Sequence, residues 1–115
     1  MAITIYGIKN CDTMKKARAW LDARGVAHQF HDYKSSGIDR AHLERWIKAH
    51  GWEAVLNRAG TTFKKLADAD KTGLTDAKAA ALMLAQPSMI KRPILEIDAQ
   101  SFIGFNPARY EALFA

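Results

Sequence analysis

The first 33 residues constrain this chain most. Ile3 to Tyr6 is a β-branched and aromatic run ending at Gly7, the pattern of a short buried strand closed by a turn, and it predicts a strand over residues 2–6. Beyond the loop of residues 7–10, Met14, Ala17, Trp20 or Leu21, and Arg24 recur at helical spacing among good helix formers, with Gly25 as the stop. A helix therefore starts near Cys11 and Asp12. The stretch His28 to Tyr33 alternates around Phe30 and reads as a second strand. Strand, helix and strand joined this tightly form a right-handed unit whose strands run parallel, so the chain is α/β.

The remainder completes the order. Ser35, Ser36 and Gly37 read as a linker, Asp39 as an N-cap, and Leu43, Trp46, Ile47 and His50 mark one face of a helix over residues 40–50. A short helix around Trp52, Val55 and Leu56 gives way to a loop at residues 57–62. Thr75 caps an Ala-rich helix from Asp76 to about Gln86, which Pro87 ends. After Pro93, Ile94 to Ile97 and Phe102 to Phe105 read as a hairpin turning at residues 98–100, and Pro107 starts a terminal helix with Tyr110, Leu113 and Phe114. The expected order is βαβ, several helices, then ββα: one domain over residues 1–115 with a helical insertion at about 39–86.

A single cysteine among 115 residues excludes an internal disulfide and a Cys-rich metal site, and points to a reducing, cytoplasmic setting. The net charge of +5 suits an anionic partner but is spread along the chain, so direct nucleic-acid binding is not expected. The longest apolar run, Ala79 to Ala85, is far short of a membrane span. His28, His31, His42 and His50 lack the spacing of a zinc site, and no metal is expected. Trp20, Trp46 and Trp52 sit in apolar helical patterns and read as core, and Lys15, Lys16 and Arg18 as a solvated helix face.

Cys11 is the first candidate for chemistry. It lies between a Gly-bearing loop and the start of a helix, where unpaired N–H groups and the helix dipole favour an anion. Lys9, Lys15 and Lys16 add positive charge at the same end, the surroundings in which low-pKa cysteines arise. A lone cysteine is otherwise a small apolar core residue. Without a second cysteine nearby, any redox cycle must borrow an outside thiol. The Arg92-Pro93 pair is the second candidate, since a guanidinium grips an oxyanion or carboxylate with two parallel donors; alternatively Pro93 merely opens an edge strand. The loop from Asn57 to Thr62 offers Arg58 as a further anion contact, or is simply a capped turn.

The blocks YGIKNCDTMKKARAWL, FHDYK, VLNRAGTTFKKL, LMLAQPSMIKRPIL and GFNP, in this order and spacing, run nearly end to end. With them the chain resembles the ArsC family of arsenate reductase-like proteins, in its YffB subgroup. The resemblance implies a thioredoxin-like fold with an inserted helical region and a small mixed sheet. It also implies that Cys11 is the nucleophile, that glutathione is the co-substrate and glutaredoxin a partner, and that Arg92 before Pro93 binds the anionic part of the ligand. In a thioredoxin-like fold the residue at position 92 also presents its main chain to an extended peptide; Lys9, Asn10, Arg58 and Pro93 complete the expected contacts for substrate or glutathione.

Two further arginine positions of the oxyanion-binding members fall on Asn57, beside Arg58, and on Asn106. One nucleophile with an incomplete oxyanion clamp fits a glutathione-dependent thiol reductase, as proteins of the YffB subgroup are thought to be. The alternatives are a true arsenate reductase coupled to glutathione and glutaredoxin, and a regulator of the Spx type. The latter would bind the C-terminal domain of the RNA polymerase α subunit without turnover. Met14 stands where many Spx proteins carry a second cysteine.

Overall fold

A computed structural model describes residues 2–115. The chain divides into two compact units: the segments up to Asp32 and from Arg92 onward form one, and Tyr33–Lys91 forms the other.

The first unit is a four-stranded mixed sheet with two helices. Strand β1 (Ile3–Gly7) leads through a turn to α1 (Asp12–Ala23), which returns the chain to β2 (Gln29–Asp32). Strands β3 (Ile94–Ile97) and β4 (Gln100–Ile103) and helix α8 (Pro107–Leu113) close the unit, and the sheet order is β2-β1-β3-β4. Strand β2 is parallel to β1, pairing Ile5 with Phe30, whereas β3 is antiparallel to β1, pairing Ile5 with Leu95. This is the thioredoxin-like arrangement expected from the resemblance.

Alternation along the strands sorts the side chains to two faces. Ile3, Ile5 and Leu95 join Met14, Ala17 and Leu21 of α1 and Tyr110 of α8 in one buried cluster. Those α1 residues fall on one stripe at a spacing of three and four, which is why this segment is a helix packed on the sheet. On the opposite face Tyr6 donates a hydrogen bond to Glu96 Oε1 at 2.7 Å and lies against His31, its partner across the β1–β2 ladder.

The second unit is helical. It comprises α2 (Tyr33–Ser36), α3 (Arg40–His50), α4 (Trp52–Val55), α5 (Thr61–Lys64), α6 (Asp68–Lys71), α7 (Asp76–Ala85) and a 3-10 turn at Pro87–Met89. Asp39 caps α3 by accepting from His42 N–H, and Thr75 caps α7 by accepting from Lys78 N–H, as the sequence predicts. Trp46, Leu43, Val55, Leu56 and Met83 are fully buried.

Several boundaries differ from expectation. Tyr33 opens α2 and is fully buried, its hydroxyl donating to Ile90 O at 2.8 Å, so β2 stops at Asp32 and the expected linker is mostly helical. Thr61 and Thr62 belong to α5, because a single turn of helix is too short to show periodicity. Strand β4 begins at Gln100: Ile97 pairs with Gln100, so the hairpin turns on Asp98 and Ala99 alone. Asp98 takes φ +54°, the left-handed conformation such tight hairpins require, and Gly104, at φ +86°, lies just past the strand's end. Trp46 is core and Trp20, half-buried under the Arg24 guanidinium, packs against the core cluster, whereas Trp52 is half-buried beneath that of Arg58. Arg18 is not a solvated member of a basic face, because it lies 4.2 Å over the Phe30 ring. Among the described residues no helix is long and apolar enough to cross a membrane.

Candidate active site

Cys11 is the N-cap of α1. Its backbone is extended (φ −128°, ψ 128°), and its carbonyl accepts the first intrahelical bond, from Lys15 N–H at 2.9 Å. An N-cap side chain normally carries an oxygen that accepts from the second and third N–H groups of the helix. A sulfur stands there instead, half-buried, and makes no cap hydrogen bond.

Five influences act on that sulfur. Burial is the largest and raises the pKa; the N–H of Met14, the Arg92 side chain and the N–H of Thr13 all hydrogen-bond the anion and lower it, and the positive charge of Arg92 lowers it further. The lowering influences win, so the thiol ionises below its ordinary value.

Arg92 reaches this point because β3 lies beside β1 in the sheet and Arg92 immediately precedes the β3 entry. The Arg92-Pro93 peptide bond is cis. Pro93 is buried, and its carbonyl accepts from Gly104 N–H at 2.8 Å, fixing the start of β3 to the end of β4. Lys9 and Asn10 are exposed in the turn that delivers the chain from β1 to Cys11.

Arg58 lies in the helical unit, where its guanidinium is 5.2 Å from the Trp52 ring centre. The two asparagines that fall on arginine positions of the oxyanion-binding proteins are both committed to turns. Asn57 Oδ1 accepts from Ala59 N–H at 3.1 Å, and Asn106 Oδ1 caps α8 by accepting from Ala108 and Arg109 N–H at 2.9 and 3.3 Å. Neither supplies positive charge. The contributors that sequence reasoning left unnamed are the N–H groups of Thr13 and Met14. Their signal was available: with Cys11 as the cap they are the second and third helical residues. Among the described residues no group of three or more His, Cys, Asp or Glu is placed to hold a metal ion.

A model of the ArsC family matches residues 6–113. The chain belongs to the ArsC family. Its fold is close to that of the YffB protein, which is 61% identical and superposes with a TM-score of 0.96 over 99% of this chain and 100% of that one. An arsenate reductase (ArsC) related protein from Brucella melitensis is 57% identical, with a TM-score of 0.78 over 99% of this chain and 95% of that one. The global transcriptional regulator Spx of Streptococcus mutans is 30% identical over 106 residues, covering 90% of this chain and 77% of Spx. This chain thus has both arsenate reductase-like and regulatory relatives, and its own site carries a cysteine with Arg92 beside the sulfur.

Proposed function

We propose that this protein is a glutathione-dependent thiol reductase whose single nucleophile is Cys11. The observation that carries this reading is the convergence of the Arg92 guanidinium and the Met14 and Thr13 N–H groups on the Cys11 sulfur. A thiolate so held attacks a disulfide by direct displacement. With a glutathionylated thiol as substrate, the Cys11 thiolate attacks the glutathione sulfur, a Cys11–glutathione disulfide forms, and the substrate leaves as its thiolate, taking a proton from water. Glutathione, as its thiolate, then attacks the mixed disulfide, releasing glutathione disulfide and the Cys11 thiolate. One substrate disulfide is reduced and two glutathione moieties end as one disulfide. Glutaredoxin is an alternative second thiol for discharge.

Arg92 suits a carboxylate of glutathione, and exposed Lys9 adds charge along the same approach. Asn10 and Pro93 remain secondary contacts in this reading. Asn106, engaged in capping α8, adds no positive charge to what Arg92 and Lys9 offer, which suits a disulfide better than a compact, multiply charged oxyanion such as arsenate. Intact-protein mass spectrometry tests the reading. Treatment with a glutathionylated peptide should add one glutathionyl group at Cys11, and glutathione should remove it. Release of the peptide thiol without that adduct overturns the mechanism.

The similarity to Spx supports a second reading, in which the chain docks on the C-terminal domain of the RNA polymerase α subunit. Binding would then survive Cys11→Ser, and a pull-down with the purified domain separates the two.

A further inference from the structure

The segment between α5 and α7 lies outside the candidate active site and is held by charge more than by apolar packing. Helix α6 has no buried residue and no side-chain cap at its start. Residues 67–70, 72 and 73 are exposed, while Leu66 and Leu74, at the two ends, are half-buried. A single helical turn does not hold itself in water, because nucleation fixes several residues for each bond gained. Its place therefore depends on what neighbouring elements supply.

Lysine side chains supply it. Lys78 of α7 donates from Nζ to Ala69 O at 2.7 Å and to Thr72 O. The Thr72 hydroxyl donates to Asp68 O at 3.1 Å. These are the carbonyls that a helix leaves without partners at its C-terminal end. Lys71 repeats the arrangement one step earlier: its Nζ donates to the carbonyl of Lys64, the last residue of α5, at 3.1 Å. Lys71 and Lys78 thus each close the helical turn that precedes their own. Lys78 is half-buried and rooted in α7, whose cap, Thr75, accepts from Lys78 N–H. The dependence runs one way, since α6 relies on Lys78, whereas loss of the Lys71 ammonium frees α5 from that contact and leaves α6 held.

We propose that residues 67–73 form a strap that the charged Lys78 ammonium holds closed and that opens when this ammonium is lost, with α7 staying in place. Acetylation of the ε-amine, which removes both the charge and the donors, would act in the same way.

Digestion of the full chain by an endoproteinase that cuts before aspartate reads the opening. Asp68 and Asp70 lie inside the strap, and Asp22 in α1 is the control. Cleavage tracks the open population when opening and closing are fast. Because Lys78→Met removes charge-assisted hydrogen bonds, it is expected to speed the strap cuts about tenfold, whereas Lys78→Arg and Lys71→Met should cut nearly as slowly as wild type. Unchanged strap cuts in Lys78→Met overturn the proposal, as does acceleration by Lys78→Arg or Lys71→Met that equals that of Lys78→Met. Equal acceleration at Asp22 also overturns it, since the whole chain then opens and not a strap.

Discussion

Arg92 and Cys11, drawn from opposite ends of the chain, meet at one sulfur: the guanidinium donates a hydrogen bond to the thiolate and adds its charge. A hydrogen bond to a charged group is worth about 1.5–3 kcal/mol. Arg92→Ala should therefore raise the Cys11 alkylation midpoint and reduce kcat/KM for a glutathionylated substrate by roughly 10- to 100-fold. Arg92→Lys should recover part of the loss, because it restores charge but not the planar fork. Steady-state kinetics of the two variants checks the order.

Cys11→Ser should abolish turnover while leaving the fold intact at neutral pH. Its effect on stability depends on pH. The folded thiol ionises below its ordinary value, so the thiolate stabilises the fold fully above the unfolded thiol's pKa of about 8.5. That stabilisation is lost as pH falls through the folded pKa. Denaturant titrations should show the stability of wild type rising relative to that of Cys11→Ser as pH rises across this window, whatever constant offset the serine cap contributes.

Tyr110 is fully buried among aromatic rings, in edge contact with Phe105 at 4.8 Å and Trp20 at 5.5 Å, and its hydroxyl has no hydrogen-bond partner. An orphaned buried hydroxyl costs about 1–3 kcal/mol. Tyr110→Phe should accordingly raise stability by on the order of 1 kcal/mol, measured by urea denaturation. Burial also pushes the Tyr110 phenol up to about 12. The fold thus holds its full stability below about pH 10, the unfolded value, and loses it as pH rises toward 12. The phenylalanine variant should lose less over that interval.

Asp39 caps α3 through His42 N–H at 2.8 Å and also contacts the His42 ring. Asp39→Ala should cost about 0.5–2 kcal/mol without changing Cys11 reactivity, because the cap serves the helical unit alone. Thermal unfolding beside an alkylation assay checks both halves of this statement.

The βαβ start and the closing ββα were legible because each element is long enough for its period to show. The Met14, Ala17 and Leu21 stripe and the Ile3 and Ile5 alternation lead directly to the buried cluster that the fold contains. The caps at Asp39 and Thr75 were equally readable, since a polar residue precedes an apolar period at each. The one-turn helices α5 and α6 were not, because four residues carry no period, and the start of β4 depended on the backbone of Asp98 and not on its side chain. At the site, Cys11 announced itself by its place before a helix. Arg92 alone was ambiguous; the family resemblance singled it out, and strand order, with β3 beside β1, is what brings it near Cys11.

The central claim is that Cys11 is a thiolate nucleophile prepared by the start of α1 and by Arg92. The most direct test is the pH dependence of Cys11 alkylation in the wild-type protein and in Arg92→Ala. The account predicts a wild-type midpoint below the free-thiol value of about 8.5 and a higher midpoint in the variant. Coincident midpoints at the free-thiol value would contradict it.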